Sequence, residues 1–212
     1  MAAVVRVLSG AQLLAYVDDL RGVYAEVFGA APWYEDEERV AQFLVRLGDD
    51  ARRPGFTAAV ALEGARITGF TTGWTTPAPF PADRCYPQVA AGLGAERAKS
   101  WLCGALEIDE LAVRPTAQGT GTGAALLDAV AAGAPDGRLW LLTSVRSPQA
   151  MAFYGRRGWT QATHPAPDGR GVVVFLGPRH PARTLAASRG VEGATAREAC
   201  RTSGAHGPMH MG

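Results

Sequence analysis

The chain has 212 residues, 47% hydrophobic and 19% charged, which suits one domain with a sizeable core and excludes a disordered polar chain. Its 21 basic and 20 acidic residues leave a net charge of +1, so no broad field selects nucleic acid or an anionic membrane as partner. The 26 glycines and 14 prolines follow no Gly-X-Y period, which excludes collagen, and Cys85, Cys103 and Cys200 lack the spacing of a disulfide framework or zinc site, as expected of a cytoplasmic protein.

Residues 1–8 carry no basic region ahead of a long apolar stretch and fail the signal-peptide pattern, and no apolar run approaches the ~18 residues that span a bilayer. Leu13, Val17, Leu20, Tyr24, Val27 and Phe28 recur at three- and four-residue steps and predict one amphipathic helix of about 18 residues that stops near Gly29. After a proline-containing aromatic turn at Ala31-Pro32-Trp33-Tyr34, a second helix is marked by Val40, Phe43, Leu44 and Leu47. Residues 56–62, 63–66 and 67–74 read as strand, turn and strand. From Thr75 to about Gly104 the chain predicts a long irregular connection of the kind that often forms a lid or binding loop. Within it Phe80, Tyr86 and Trp101 either line a pocket or pin the loop to the body.

Residues 105–113 read as a strand that ends at Arg114-Pro115. Gln118-Gly119-Thr120-Gly121-Thr122-Gly123 follows, and then Leu126, Leu127 and Val130 at helical spacing. Strand, glycine-rich turn and helix form a device for anions: the glycines let backbone N–H groups converge and the helix start adds its positive end, so a pyrophosphate is the expected guest. A P-loop is excluded because no lysine lies here. The Rossmann fingerprint is met formally by Gly119, Gly121 and Ala124, but the ribose-binding acid is missing about 20 residues on, where the chain reads Arg138-Leu139-Trp140-Leu141-Leu142-Thr143.

Gln118, Gly121 and Gly123 fill a Q/R-x-x-G-x-G/A pattern behind Leu111-Ala112-Val113-Arg114-Pro115. Downstream, Ser147-Pro148-Gln149-Ala150-Met151-Ala152-Phe153-Tyr154-Gly155-Arg156-Arg157-Gly158-Trp159 follows the strand at residues 139–143. On these two segments residues 1–178 resemble the GNAT N-acetyltransferase superfamily, with Ser147 in place of the usual asparagine and Trp159 in place of phenylalanine. The resemblance implies an α/β (α+β) fold, a GNAT-type mixed, largely antiparallel central sheet flanked by about four helices. It implies acetyl-CoA as co-substrate, no metal, and direct acetyl transfer to a primary amine of a small molecule or peptide. No nucleic acid or membrane is expected as partner, and homodimers are common in the superfamily. The alternative on the same motifs is a non-catalytic CoA-binding or partner-binding module.

The resemblance also assigns roles. The backbone of Gly119, Thr120, Gly121, Thr122, Gly123 and Ala124 would hold the pyrophosphate, with Gln118 bracing the loop. The backbone of Leu111, Ala112 and Val113 would pair with the pantetheine arm and polarise the carbonyl. Ser147 stands at a cofactor position, although Ser147-Pro148 is also a plain helix-capping pair. Tyr154 would protonate the departing thiolate. An alkyl amine is mostly protonated at pH 7, so a carboxylate must take a proton from it. Glu107, Asp109 and Glu110 are the candidates, Glu107 and Glu110 ahead of Asp109. Strand alternation places Glu107 and Asp109 on one face and Glu110 on the other, and a backbone distortion near Glu110 would reverse this. Trp33, Tyr34, Trp74, Phe80 and Trp101 are the expected pocket aromatics, and His164 reads as structural.

Residues 179–212 contain only Leu185 and Val191 as aliphatic side chains larger than alanine, with five arginines against two glutamates, and predict a flexible Gly/Ala/Arg-rich tail beyond a domain of residues 1–178. His206, Met209 and His210 are soft-metal ligand types, but their scatter in a glycine-rich segment makes no metal site.

Overall fold

The computed structural model describes residues 3–134, 136–163 and 171–188. After β1 (Val4–Leu8) come α1 (Gly10–Leu14), α2 (Val17–Phe28) and α3 (Glu37–Asp50), then β2 (Thr57–Glu63) and β3 (Arg66–Thr75). The connection to β4 (Leu106–Val113) carries α4 (Tyr86–Leu93), α5 (Ala95–Arg97) and a π-helical turn at Ala98–Leu102. A 3-10 turn (Pro115–Ala117) leads into α6 (Thr122–Ala131), followed by β5 (Leu139–Ser144), α7 (Pro148–Arg156), β6 (Thr160–Gln161) and β7 (Val172–Leu176). One mixed seven-stranded sheet results, in the order β1-β2-β3-β4-β5-β7-β6, antiparallel except between β4 and β5. This is the expected sheet, and α2, α3, α6 and α7 are its four main helices.

Both faces of the sheet are apolar, with a period of two. Along β2, Ala58, Val60 and Leu62 enter the cluster built with α1, α2 and α3, while Ala59 and Ala61 enter the one built with α6 and α7. On α3 the buried Val40, Phe43 and Leu47 keep helical spacing. Asp36 caps its start by accepting the Arg39 N–H at 3.0 Å, and Glu37 and Glu38 meet the positive end of the helix dipole. Leu126, Leu127 and Val130 of α6 are buried, each contributing roughly 1.5–3 kcal/mol, which anchors the glycine turn that precedes them.

Three expectations are corrected. The single helix ending near Gly29 is two: α1 opens on a Ser9–Gln12 capping box, and Tyr16, with φ −108° and ψ 17°, turns the chain before α2. Both pieces bury their apolar side chains in one cluster, so the break leaves no mark on the spacing. The irregular lid is instead largely helical and belongs to the body. Trp140 on β5 and Val174 and Leu176 on β7 are covered by Tyr86, Val89, Leu93 and Leu102 from this connection, and Phe80 and Trp101 pin it there rather than lining a pocket. Finally, residues 179–188, which composition alone groups with the tail, join the same cover through the buried His180, Ala182 and Ala186. His180 Nδ1 accepts the Ala182 N–H and Nε2 donates to the Trp101 carbonyl at 3.0 Å, and burial holds the imidazole below its ordinary pKa. Residues 189–212, His206, Met209 and His210 among them, and His164 lie outside the described residues.

Candidate active site

β4 and β5 pair only through Leu106–Ile108 and Leu139–Leu141, after which the two strands part while each runs on for several residues. On the β3 side the Glu110 carbonyl accepts the Thr71 hydroxyl at 2.8 Å. On the other side the Val113 carbonyl accepts Gln118 Nε2 at 3.0 Å, which ties the glycine turn to the strand. Strand alternation therefore directs the backbone polar groups of Leu111 and Val113 into the gap. A cavity of about 740 Å³ occupies it, within the range of small-molecule sites.

One end of this cavity is the mouth of α6. Gly119 and Gly121 have φ of 75° and 89°, and a Cβ on either would meet nothing within 4 Å. Backbone conformation, not crowding, demands glycine there, and the surface above them is open. No side chain caps α6, so the first-turn N–H groups of Thr122, Gly123 and Ala124 are available beside the positive helix end, which suits a diphosphate. Gly119, Gly121, Gly123 and Ala124 line the cavity, as do Leu111, Val113 and Gln118. The side chains of Thr120 and Thr122 do not. Their hydroxyls lie 2.9 Å apart, and that of Thr120 donates to the Ala117 carbonyl at 2.7 Å, so they brace the turn. Ala112 is likewise absent from the wall, fully buried in the cluster under α2. Ser147 precedes α7 as a cap would, but its hydroxyl makes no capping bond, and the residue lines the cavity. Arg156, at the far end of α7, adds a cation to the wall.

The three carboxylates are gathered by a β-bulge. Thr72 lies opposite Glu110 but Gly73 lies opposite Ile108, so Asp109 is the extra residue on β4. A Cβ on Gly73 would lie 2.3 Å from the Glu107 carbonyl oxygen, so only glycine allows this approach. The bulge overturns strict alternation, and Glu107, Asp109 and Glu110 all line the cavity.

Each acid has its own surroundings. Glu107 is 2% exposed and accepts the Tyr86 hydroxyl at 2.7 Å. Burial and the neighbouring Asp109 push its pKa up to about 8, so it is mostly protonated at neutral pH. Asp109 lies 3.1 Å from an Arg84 nitrogen, although burial still holds it above the usual carboxylate range. Glu110 is raised well above that range by burial and by Asp109, with Arg46 at 3.9 Å. Tyr154 packs against Phe153, Trp159 and Phe175 and lines the cavity; burial pushes its hydroxyl above the ordinary phenol range, so it stays protonated.

Of the expected aromatics Trp33 and Tyr86 line the cavity. Tyr34 is 72% exposed, and Trp74 is fully buried with the guanidiniums of Arg53 and Arg84 over its ring at 4.8 and 5.3 Å. Tyr24, Glu35, Arg46, Arg84 and Cys85 are cavity residues that the sequence does not place there. None belongs to a motif, and each arrives through tertiary packing of α2, α3, the turn between them or the β3–β4 connection.

The raised pKa of Glu107 sets a stability test. Below about pH 4.5 the group is protonated folded and unfolded alike, and as pH rises through about 8 the folded state loses the advantage of holding it neutral. Glu107→Gln is expected to change stability little at pH 5 and to raise it at pH 9, read by denaturant melts at both. Equal effects at the two pH values would refute this cause.

A family model described as acetyltransferase (GNAT) domain matches residues 56–161. The chain belongs to the GNAT acetyltransferase family. No curated protein sequence matches it. Among solved structures, this GNAT fold is similar to an acetyltransferase from Thermus thermophilus, at 18% identity and TM-score 0.54 over 83% of this chain and 96% of that one. It is similar also to histone acetyltransferase HPA2 and related acetyltransferase from Corynebacterium glutamicum, at 20% identity and TM-score 0.57 over 84% and 97%. A third likeness is the paia N-acetyltransferase from Thermoplasma acidophilum in complex with coenzyme A, at 14% identity and TM-score 0.55 over 83% and 99%. Among the described residues of this GNAT chain, no helix is long and apolar enough to cross a membrane, and no group of three His, Cys, Asp or Glu could hold a metal.

Proposed function

We propose that this GNAT acetyltransferase moves an acetyl group from acetyl-CoA to a primary amine of a small molecule or peptide by direct transfer. The observation that carries the reading is a single cavity that joins the uncapped α6 mouth to Glu110 and Tyr154 along the gap between β4 and β5. When bound, acetyl-CoA supplies an activated thioester. The amides at residues 119–124 bind its diphosphate, and the gap-facing backbone of Leu111 and Val113 pairs with the arm and polarises the carbonyl. Glu110 takes a proton from the acceptor ammonium and Tyr154 presents its hydroxyl to the departing sulfur.

Of the three acids, Glu110 suits the base best. Glu107 is occupied by the Tyr86 hydroxyl and Asp109 is engaged by Arg84, whereas Glu110 meets only Arg46 at 3.9 Å. A carboxylate raised toward the working pH is the more effective proton acceptor.

The cofactor end is tested through Gly121→Trp. The indole would enter the open space above the turn, in a left-handed backbone position that costs a non-glycine residue roughly 1–2 kcal/mol. Isothermal titration should show CoA affinity reduced about 100-fold or more, equivalent to ~2.7 kcal/mol. Normal affinity in a folded variant would overturn the diphosphate assignment. Thiol release from acetyl-CoA across a panel of primary amines tests the transfer itself, and no release above the acceptor-free background would favour a CoA-binding module.

A further inference from the structure

We infer that Arg84 is a specificity-determining residue: by cancelling Asp109 it restricts the acceptor end of the cavity to an amine with one positive charge and an apolar body. The inference rests on the acetyl-transfer reading only in calling this end the acceptor end.

Arg84 comes from the connection between β3 and β4, immediately ahead of α4, and has φ 51°, a left-handed conformation uncommon for a side-chain-bearing residue. Such positions persist only where the surroundings fix them. Here its Nη2 lies 3.1 and 3.5 Å from the two Asp109 oxygens and its Nη1 lies 3.4 Å from Asp50 Oδ2. Asp50 Oδ1 is held in turn by Arg53 Nε at 2.6 Å, and both guanidiniums lie over Trp74. The Asp50–Arg53 pair is thus balanced within itself, which leaves Arg84 to balance Asp109.

The groups that face Asp109 and Glu110 come from every element around them. Glu107 shares β4 and is bound by Tyr86 of α4, Arg46 comes from α3, and Tyr24 comes from α2 with its hydroxyl on Glu35 at 2.7 Å. Tyr154 faces them from α7, protonated at neutral pH like Tyr24 and Tyr86. By contact, Arg84 holds Asp109, Tyr86 holds Glu107 and Tyr24 holds Glu35, which leaves Glu110, with only Arg46 at 3.9 Å, as the one acid open to an ammonium. One ammonium satisfies it. A second has no counterpart unless Arg84 is removed. The adjoining wall of Val27, Phe28, Pro32 and Trp33 is apolar and offers the rest of the acceptor no further charge.

The test uses two probes of matched length, pentylamine and 1,5-diaminopentane, titrated calorimetrically into the full chain saturated with CoA. The unaltered protein is expected to bind the diamine no better than the monoamine. Arg84→Met should raise the diamine-to-monoamine affinity ratio by about tenfold or more, ~1.4 kcal/mol. Arg84→Lys, which keeps the cation, should restore the original ratio, and Asp109→Asn should lower it. A purely structural role for Arg84 would weaken both amines alike and leave the ratio unchanged. That result, or absence of diamine binding to Arg84→Met, overturns the inference; should Arg84→Met fail to fold, an unchanged or raised ratio in Asp109→Asn does so. CoA affinity of the unaltered protein, measured first, reports separately on the acetyl-transfer reading: its absence sinks that reading, whereas an invariant ratio with CoA bound sinks only this one.

Discussion

Tyr154→Phe is expected to lower kcat by about 100-fold or more while CoA affinity stays nearly unchanged. Phenylalanine keeps the ring that packs on Phe153, Trp159 and Phe175, so the variant deletes one hydroxyl from the cavity and leaves α7 in place. Burial and the negative charge of Glu110 both push that hydroxyl above the ordinary phenol range. It therefore serves as a donor throughout the neutral range and never as a base. A donor aimed at charge that develops only as the sulfur departs raises kcat without tightening ground-state binding. Steady-state kinetics with any primary amine that the unaltered enzyme acetylates, together with CoA titration, separate the two quantities. Unchanged turnover would remove Tyr154 from the mechanism, and a parallel loss of CoA affinity would reassign it to packing.

The cofactor half of the site is legible in the sequence because its chemistry is local. Gly119 and Gly121 take left-handed backbone that side chains resist, and they sit directly between a strand and a helix, so spacing alone marks the turn. Leu126, Leu127 and Val130 follow at helical steps and bury as that spacing requires. Even here the sequence reading is coarser than the molecule. The motif marks the backbone N–H groups of residues 119–124 but not the part played by the Thr120 and Thr122 hydroxyls, which brace the turn, a use that only the closed loop reveals.

The acceptor half is far less legible, for a physical reason. Which way Glu107, Asp109 and Glu110 point depends on a register slip that is set across the sheet by Gly73, distant in sequence from β4. The partners that differentiate the three acids, Tyr86, Arg84 and Arg46, come from α4, the turn before it and α3. Proline content makes the β3–β4 connection look irregular, but the apolar face formed by Trp140, Val174 and Leu176 needs cover, and that need folds the connection into helices. The same need draws in His180, Ala182 and Ala186, whose small or polar side chains resemble those of a tail. β1 escapes a reading by pattern because Val4–Leu8 is a short edge strand with Val4 and Val7 exposed, so its apolar run carries no clean alternation.

A still larger loss is expected from Glu110→Gln. Glutamine preserves shape and hydrogen-bonding reach at the bulge but cannot accept a proton, so kcat/KM should fall by about 100- to 10,000-fold, the range found for removal of a general base. The pH dependence identifies the group more sharply than the magnitude does. Burial and Asp109 place Glu110 well above the usual carboxylate range, while Arg46 and Arg84 pull it down. In the unaltered enzyme kcat/KM should therefore rise with pH on a limb displaced upward from ordinary carboxylate titration, as Glu110 gives up its proton and becomes competent. Glu110→Gln should erase that limb. Glu107→Gln should keep it, because the Glu110 carboxyl remains and the amide replacement can still accept from Tyr86. The opposite pattern, in which Glu107→Gln erases the limb and Glu110→Gln spares it, would transfer the base to Glu107 and leave Glu110 as the anchor of Arg46 at the cavity wall.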